Sequence, residues 1–447
     1  MENKTIQRQY DLDWIRVLAT LAVFLYHCSM FFNPWPWHVK NNQLNYSGIL
    51  VFSLFTSSWI MPIFFAVSGI SVVYTLKKRS AGAYFKERFI RLGVPLLLGV
   101  FILSPPQVFI ERLTHNQFSG SFLDFIPHYF DGVYLSIGGS GNFAFIGLHL
   151  WYLLVLLVYS FLTFPFFKKV DLLNLAVDFR SRRSLSAGVP GSLLGADAPA
   201  GSPQPRTPAG VERLPLQSTE LKKSTFSFNR TPKIRKQRSF KPIHLFILPL
   251  FLVLIGPIKT VNLGGWDLLF YLVLFVYGYY FFSDSEFKSV VKKTIMLHFS
   301  LAIVTSIVYI SWFMMGSPKP GSFADIIFYA IRTVNCWSWM LGIFYLADRY
   351  LTASNRFLAY GSEASMPFYV IHQPVIVLLG FGIYDSSLPV AGKALLLIGA
   401  SFSIIMVCYH MGIRRTKFIR VLFGMKAQVD QKLVTHAVEM TRGGSPK

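Results

Sequence analysis

The stretch Leu12-Asp13-Trp14-Ile15-Arg16-Val17-Leu18-Ala19-Thr20-Leu21-Ala22-Val23-Phe24-Leu25-Tyr26-His27-Cys28 decides the fold. It is apolar over roughly the length that a bilayer requires of a spanning helix, about 20 residues, yet it contains Asp13, Arg16, Thr20 and His27. At about 100° per residue these four fall near one line, because Arg16 and His27 are separated by almost three whole turns. A polar stripe on an apolar helix belongs in a membrane only where it faces protein or a water-filled space, so its presence points to function. From Leu12 to His27 the rise is about 22 Å at ~1.5 Å per residue, which places His27 in the membrane half far from the N-terminus.

Comparable apolar runs recur near 12–33, 48–76, 90–111, 143–167, 243–258, 266–283, 292–315, 323–347, 364–384 and 391–411. The chain of 447 residues is 53% hydrophobic and 14% charged with 43 Phe, and its mean hydropathy is +0.46. That balance excludes a set of soluble domains and predicts an all-α polytopic membrane protein of about ten transmembrane helices. Pro105 and Pro106 in the third run, and Pro249 and Pro257 in the short fifth, predict kinked or irregular spans. Cys28, Cys336 and Cys408 lie singly in apolar runs, so neither a disulfide framework nor a zinc site is expected, nor any other metal. Asp11, Asp13 and Arg16 at the start of the first run, with no small-residue cleavage site after Asn33-Pro34, argue against a cleavable signal.

A net charge of +22 would ordinarily raise nucleic acid as a partner. Its distribution says otherwise. Among the loops that would lie outside, the basic residues are Lys40, Arg112, Lys259, Lys319 and Lys393, while nearly all others lie in the termini and the alternate loops. The excess records topology, with both termini cytoplasmic and the lipid bilayer as partner. The stretch 178–242, rich in Pro, Ser and Gly with a basic end at Arg230, Lys233, Arg235, Lys236, Arg238 and Lys241, reads as a disordered cytoplasmic linker. It divides the membrane domain into 1–177 and 243–413, and 414–447 forms a basic cytoplasmic tail. The loop 112–142 suits either an interfacial segment over an outward cavity or a plain amphipathic surface loop.

Further ionisable and polar residues lie in or beside the spans. Arg88 and Arg91, three apart at a helix start, can converge on one polyanion, or they mark a cytoplasmic helix end. His149 and Trp151 fall about 9 Å inside the fourth run, at the depth of His27. Arg332 and Asn335 sit midway in the eighth, with Asp325 a possible partner of Arg332. His372 with Pro374 interrupts the ninth. Taken singly, such residues are better explained by helix-packing hydrogen bonds than by chemistry, except Arg332, where burial of a permanent charge leaves the two readings even.

Five short motifs occur in order: Leu12-Asp13-Trp14-Ile15-Arg16 with His27; Phe64-Phe65-Ala66-Val67-Ser68-Gly69; Arg88-Phe89-Ile90-Arg91; Leu150-Trp151-Tyr152-Leu153; and Tyr369-Val370-Ile371-His372-Gln373-Pro374. Together they resemble the acyltransferase-3 family of integral membrane O-acyltransferases over nearly the whole chain apart from 178–242. His149-Leu150-Trp151 and Trp14 look more like its periplasmic glucan succinyltransferase branch than its O-antigen or peptidoglycan O-acetyltransferases. The resemblance implies transfer of an acetyl, succinyl or similar group from cytoplasmic acyl-CoA, a co-substrate and not a tightly bound cofactor, to a hydroxyl of a glycan or other cell-envelope acceptor across a bacterial inner membrane. It makes His27 the essential histidine, Arg88 and Arg91 the paired arginines of the acyl-donor site, and Arg16 the first-span arginine.

On this reading His27 is a general base for the acceptor hydroxyl, with Asp13 or another carboxylate to orient it. Arg332 or Asn335 stabilises the oxyanion or recognises the acyl carboxylate. The competing class is a transporter or flippase of a glycan or lipid-linked substrate, against which stand the lack of an inverted repeat and the concentration of polar residues in the first and third spans. A membrane scaffold with degenerate sites is the third reading.

Overall fold

The structure is a computed structural model that describes residues 9–76, 80–187 and 240–427. Its elements in chain order are α1 (Tyr10–Met30), α2 (Gly48–Leu76), α3 (Ala81–Thr114), α4 (Phe122–His128) and α5 (Trp151–Ala187). There follow α6 (His244–Leu254), β1 (Asn262–Leu263), β2 (Trp266–Asp267), α7 (Leu268–Phe282), α8 (Ser285–Met315), α9 (Phe323–Tyr350), α10 (Arg356–Ile383), α11 (Val390–Ile413) and α12 (Lys417–Leu422). Among the described residues, 8 helices are long and apolar enough to cross a membrane. The chain is an all-α integral membrane protein with many spans. At the expected fifth span, short in the sequence as well, and at the sixth lie the shorter apolar helices α6 and α7. The first stops at Leu254, before Pro257, and a two-stranded hairpin turning at Gly264-Gly265 leads into the second. Large apolar side chains such as Leu162, Met296, Ile307 and Leu395 face outward, as lipid contact requires.

Prolines inside these helices organise the packing. A proline has no N–H, so the carbonyl four residues earlier loses its helical donor, and in a bilayer another group must satisfy it. Pro62 frees Ser58 O, which accepts from Trp266 Nε1 at 3.2 Å. Pro249 frees Leu245 O, which accepts from Trp337 Nε1 at 2.9 Å. Pro374 frees Val370 O, which accepts from His149 Nε2 at 3.1 Å. Three carbonyls freed inside continuous helices thus become acceptors of tertiary hydrogen bonds. The irregularity expected of the third span takes another form: α3 widens into π turns at Phe89–Gly93 and Gly99–Leu103, closed by Val94 N–H to Phe89 O and Ser104 N–H to Gly99 O.

Helix α1 is central and touches α2, α9, α10 and α11. Helices α2 and α7 approach closely through glycine: a Cβ on Gly69 would lie 2.0 Å from Phe275 O, and one on Gly278 would lie 2.1 Å from Ala66 O. The loop after α3 folds as a small cap. Ser121 and Asp124 form a reciprocal capping box at the start of α4, and Phe125, Tyr129 and Tyr134 bury against Val108, Ala144 and Leu148.

Among the described residues, those up to 164 and from 240 on form one compact unit and 165–187 belong to another. Of the linker expected over 178–242, residues 188–239 lie outside the described residues and 178–187 belong to α5. The tail over 428–447 also lies outside them.

Candidate active site

Two cavities lie along the polar stripe of α1. The larger, about 390 Å³, is lined by Asp13, Arg16, Arg88 and Arg91 at its polar end and by Met61, Phe64, Tyr152 and Tyr369 toward the interior. The smaller, about 50 Å³, is lined by Tyr26, His27, Ser57, His149, Trp151 and Gly264. Met61 and Tyr369 line both, so the two cavities meet at those side chains. From Arg16 to His27 the helix rises about 16 Å at ~1.5 Å per residue, which gives the scale of the path.

In the larger cavity Arg16 is clamped by α1 and α2, donating to Asp13 Oδ1 at 2.9 Å and to Ser71 Oγ at 2.5 Å. Arg88 lies over the Tyr84 ring, 5.3 Å from its centroid, and Arg91 pairs with Glu87 at 3.7 Å. Three guanidinium groups therefore border one space with two carboxylates, Asp13 and Glu87, which suits an anion with several phosphate oxygens.

The smaller cavity is lined by histidines. His27 Nδ1 lies 2.7 Å from His372 Nε2, and His372 Nδ1 lies 2.6 Å from Tyr369 O. A carbonyl only accepts, so His372 carries its proton on Nδ1, and its Nε2 must accept from His27 Nδ1–H when both rings are neutral. That fixes the tautomer of His27 and leaves the lone pair of its Nε2 for a substrate proton. The same reasoning applies to His149: its Nε2–H donates to the carbonyl that Pro374 frees, and its buried Nδ1 has no protein partner. His149 owes its position to a left-handed turn with φ +74° at Gly147 and +52° at Leu148. The latter is a strained conformation for a leucine, costing about 1–3 kcal/mol, and Tyr369 Oη secures it by donating to His149 O at 2.5 Å. The rings of His27, His149 and His372 are close neighbours, yet among the described residues no set of three or more ligating side chains converges as a metal site would require.

The outer side of His27 is covered by Trp37, stacked on it at 5.4 Å between centroids. The neighbouring His38 is buried and bonded through Nδ1 to Glu111 Oε2 at 2.5 Å. Its proton position is fixed from the far end. Gln107 Nε2 donates to Leu103 O, so Gln107 Oε1 accepts from Gln373 Nε2 at 3.0 Å, and the amide of Gln373 also reaches His38 Nε2 at 3.2 Å. Glu111 further accepts from Tyr134 Oη at 2.7 Å and Gly138 N at 2.8 Å, and pairs with Arg112 at 3.2 Å. This satisfied network anchors the cap and the segment that carries Trp37.

The residues singled out in the sequence separate accordingly. Arg16, Asp13, Arg88 and Arg91 share the larger cavity, while His27, His149 and Trp151 share the smaller. His372 joins them through its hydrogen bond to His27. Asp13 binds Arg16 and lies about 21 Å of helix rise from His27, so it does not orient that ring; His372 does. His149 and Trp151 sit at the mouth of the fourth span and not a turn and a half inside it, because the left-handed turn delays the helix to Leu148. Asn335 is used between helices: it accepts from Ser58 Oγ and donates to Ala302 O, Thr305 Oγ1 and Ser306 Oγ. Asp325 accepts from Gly321 N–H in its own helix start. Arg332 lies on the Trp266 ring, 4.1 Å from its centroid, beside the hairpin. Trp37, His38 and Glu111 escape sequence reading, because an acid near a helix end and a His in a loop carry no spacing signal.

A family profile described as an acyltransferase domain matches residues 9–410. Curated relatives include "Glucans biosynthesis protein C" of Shigella dysenteriae serotype 1 (strain Sd197), 29% identical over 170 residues, a match that covers 37% of this chain and 40% of the relative. The protein of the same name from Escherichia coli (strain K12) matches at the same 29% identity and the same coverage, 37% and 40%. The match thus spans well under half the length of these relatives. No solved structure matches the chain. The shared profile runs from the first polar span through the histidine cluster and the arginine-lined cavity, and on that extent the chain belongs to the acyltransferase-3 family.

Proposed function

We propose that the protein transfers a short acyl group, acetyl, succinyl or similar, from cytoplasmic acyl-CoA to a hydroxyl of a glycan or other cell-envelope acceptor. The observation that carries the proposal is the pair of cavities meeting at Met61 and Tyr369, with three arginines at one end and the oriented His27 at the other. The CoA phosphates stay with Arg16, Arg88 and Arg91, and an extended pantetheine arm delivers the thioester past Met61, an unbranched side chain that can yield.

At the far end His27 Nε2 takes the proton of the acceptor hydroxyl. The oxygen forms a bond to the thioester carbon, the C–S bond breaks, and the CoA thiolate leaves, recovering the proton from His27. The Tyr26 hydroxyl, in the same wall, is the donor for the oxygen that gains charge. His149 Nδ1 accepts from a second hydroxyl of the acceptor and so aims the reacting one at His27. With the basic helix ends on the cytoplasmic side of a bacterial inner membrane, both termini are cytoplasmic and His27 is near the outer face.

The test is release of free CoA from acetyl- or succinyl-CoA by the purified full chain, dependent on a glycan acceptor. Glycan flux across vesicles without CoA release would support a carrier instead. Acceptor-dependent release that survives in His27→Ala would remove the base assignment.

A further inference from the structure

Away from the two cavities on α1, a third of about 630 Å³ opens where α7 ends, α8 begins and α9 ends. Helix α8 gives it Ser285, Lys288, Ser289 and Lys292, at i, i+3, i+4 and i+7, which is one helical face. Helix α9 gives it Leu341, Phe344, Tyr345 and Asp348 at the same spacing, with Arg349 beside them. The remaining wall is apolar: Phe282, Phe287 and Val291 are buried, as is Leu341. From Asp348 to Leu341 α9 rises about 10 Å, so the cavity runs that far from the charged end of the helix along apolar side chains.

Three cations share this space with one carboxylate, and that carboxylate is taken. Lys288 Nζ donates to Asp348 Oδ1 at 2.8 Å and to Asp11 Oδ2, at the start of α1, at 3.4 Å. Arg349 Nε donates to Tyr350 Oη at 3.1 Å. Among the described residues no acid forms an ion pair with Lys292 or Arg349. The link from Lys288 to Asp11 also puts the cavity on the face where α1 begins, the side proposed above as cytoplasmic.

A ligand that fits must bring negative charge to the rim and apolar bulk to the interior. A water-soluble anion leaves Leu341 and Phe344 uncovered, and an uncharged lipid leaves Lys292 and Arg349 unmatched. An anionic phospholipid meets both demands, and a basic pocket between spans on the cytoplasmic side is a place where such head groups bind. The stem of Lys292 can lie along the apolar wall while its ammonium reaches the level of the phosphate.

We propose that this cavity binds one anionic phospholipid of the cytoplasmic leaflet, its phosphate on Lys292, Arg349 and the hydroxyls of Ser285 and Ser289, and an acyl chain against Phe344 and Leu341. The site is independent of the acyl-transfer reading. Lys288 ties its wall to Asp11, two residues before Asp13, so an occupied site braces the helix that carries both other cavities.

The experiment titrates the full-length protein in uncharged detergent with phosphatidylglycerol, phosphatidylcholine or glycerol phosphate, and reads bound lipid by native mass spectrometry and the thermal midpoint. The parent should retain one phosphatidylglycerol, with a raised midpoint. Lys292→Ala with Arg349→Ala should raise the Kd by on the order of 30-fold, at about fivefold for each basic residue at a membrane surface. Each single variant should show its own fivefold, so the reading does not depend on the double variant folding. Lys293→Ala, exposed and outside the cavity, should match the parent. Equal retention of phosphatidylglycerol by parent and double variant would overturn the proposal, as would phosphatidylcholine bound as tightly as phosphatidylglycerol. A midpoint raised as much by glycerol phosphate would assign the site to a soluble phosphate and overturn the lipid.

Discussion

His372→Phe tests whether the histidine pair sets the reactivity of His27. In the parent, His27 Nδ1 and His372 Nε2 are 2.7 Å apart, and His372 is itself locked by Tyr369 O at 2.6 Å. Phenylalanine fills comparable volume in the aromatic surroundings of Phe368 and Tyr369 but accepts no hydrogen bond. His27 then either keeps its proton on Nδ1 with no acceptor, at a cost of about 1–3 kcal/mol, or moves it to Nε2 and loses the basic lone pair. At about 1.4 kcal/mol per tenfold, kcat should fall roughly 5- to 150-fold. KM for acyl-CoA should hold, because the arginines proposed to bind the donor line the opposite end of the path. His372→Gln, whose amide oxygen can accept, should retain more activity than the phenylalanine variant. The assay is the initial rate of CoA thiol release with a glycan acceptor, with unfolding in detergent followed in parallel. A His372→Phe protein of parental kcat would show that the pair does not govern the base, and a matching collapse of thermal stability would assign the residue to packing.

Other perturbations follow from the same geometry. Arg88→Ala with Arg91→Ala should raise the Kd for CoA by about tenfold or more per lost phosphate contact, and the affinity that remains should depend less on salt than the parent's, as isothermal titration can show. Gly69→Ala forces a Cβ to 2.0 Å from Phe275 O, so a loss of several kcal/mol or a failure to fold is expected, seen as aggregation during purification. Burial pushes the Lys40 ammonium from its ordinary 10.5 down to about 7. Between those values the unfolded chain holds the proton and the folded chain does not, so stability should rise with pH across that window, and Lys40→Met should flatten the rise in a series of thermal midpoints.

Much of the site could be read from residue types that a bilayer penalises. The line of Asp13, Arg16, Thr20 and His27 on α1 carries both cavities, and the arginines before the third span end beside it, because a charge in a membrane must face a polar space. What the sequence hid depends on distance in the chain. The partner of His27 is 345 residues away, and no local pattern marks it. His372 next to Pro374 looks like a helix break, but the helix runs on through both; only the fold shows that the carbonyl Pro374 frees orients His149 while Tyr369 O orients His372. Asn335 and Arg332, three apart on one helix, drew the same suspicion, yet one is fully hydrogen-bonded between helices and the other has its Nε unmatched. The fifth and sixth runs correspond to the short apolar helices α6 and α7, and hydropathy marks both without showing the Gly-Gly hairpin that joins them.

The central claim is that acyl groups pass from a donor at the arginines to an acceptor activated by His27. Full-length protein is reconstituted in vesicles with acyl-CoA only on the side of Arg88 and a glycan acceptor only on the opposite side, and acylated glycan is measured by mass spectrometry for the parent and His27→Ala. The parent should gain acyl mass on the acceptor, with matching CoA release, and the variant should be slower by about 10²- to 10⁴-fold, the usual worth of a positioned base. Equal acylation by parent and variant would contradict the account, as would acylation only when donor and acceptor share one side.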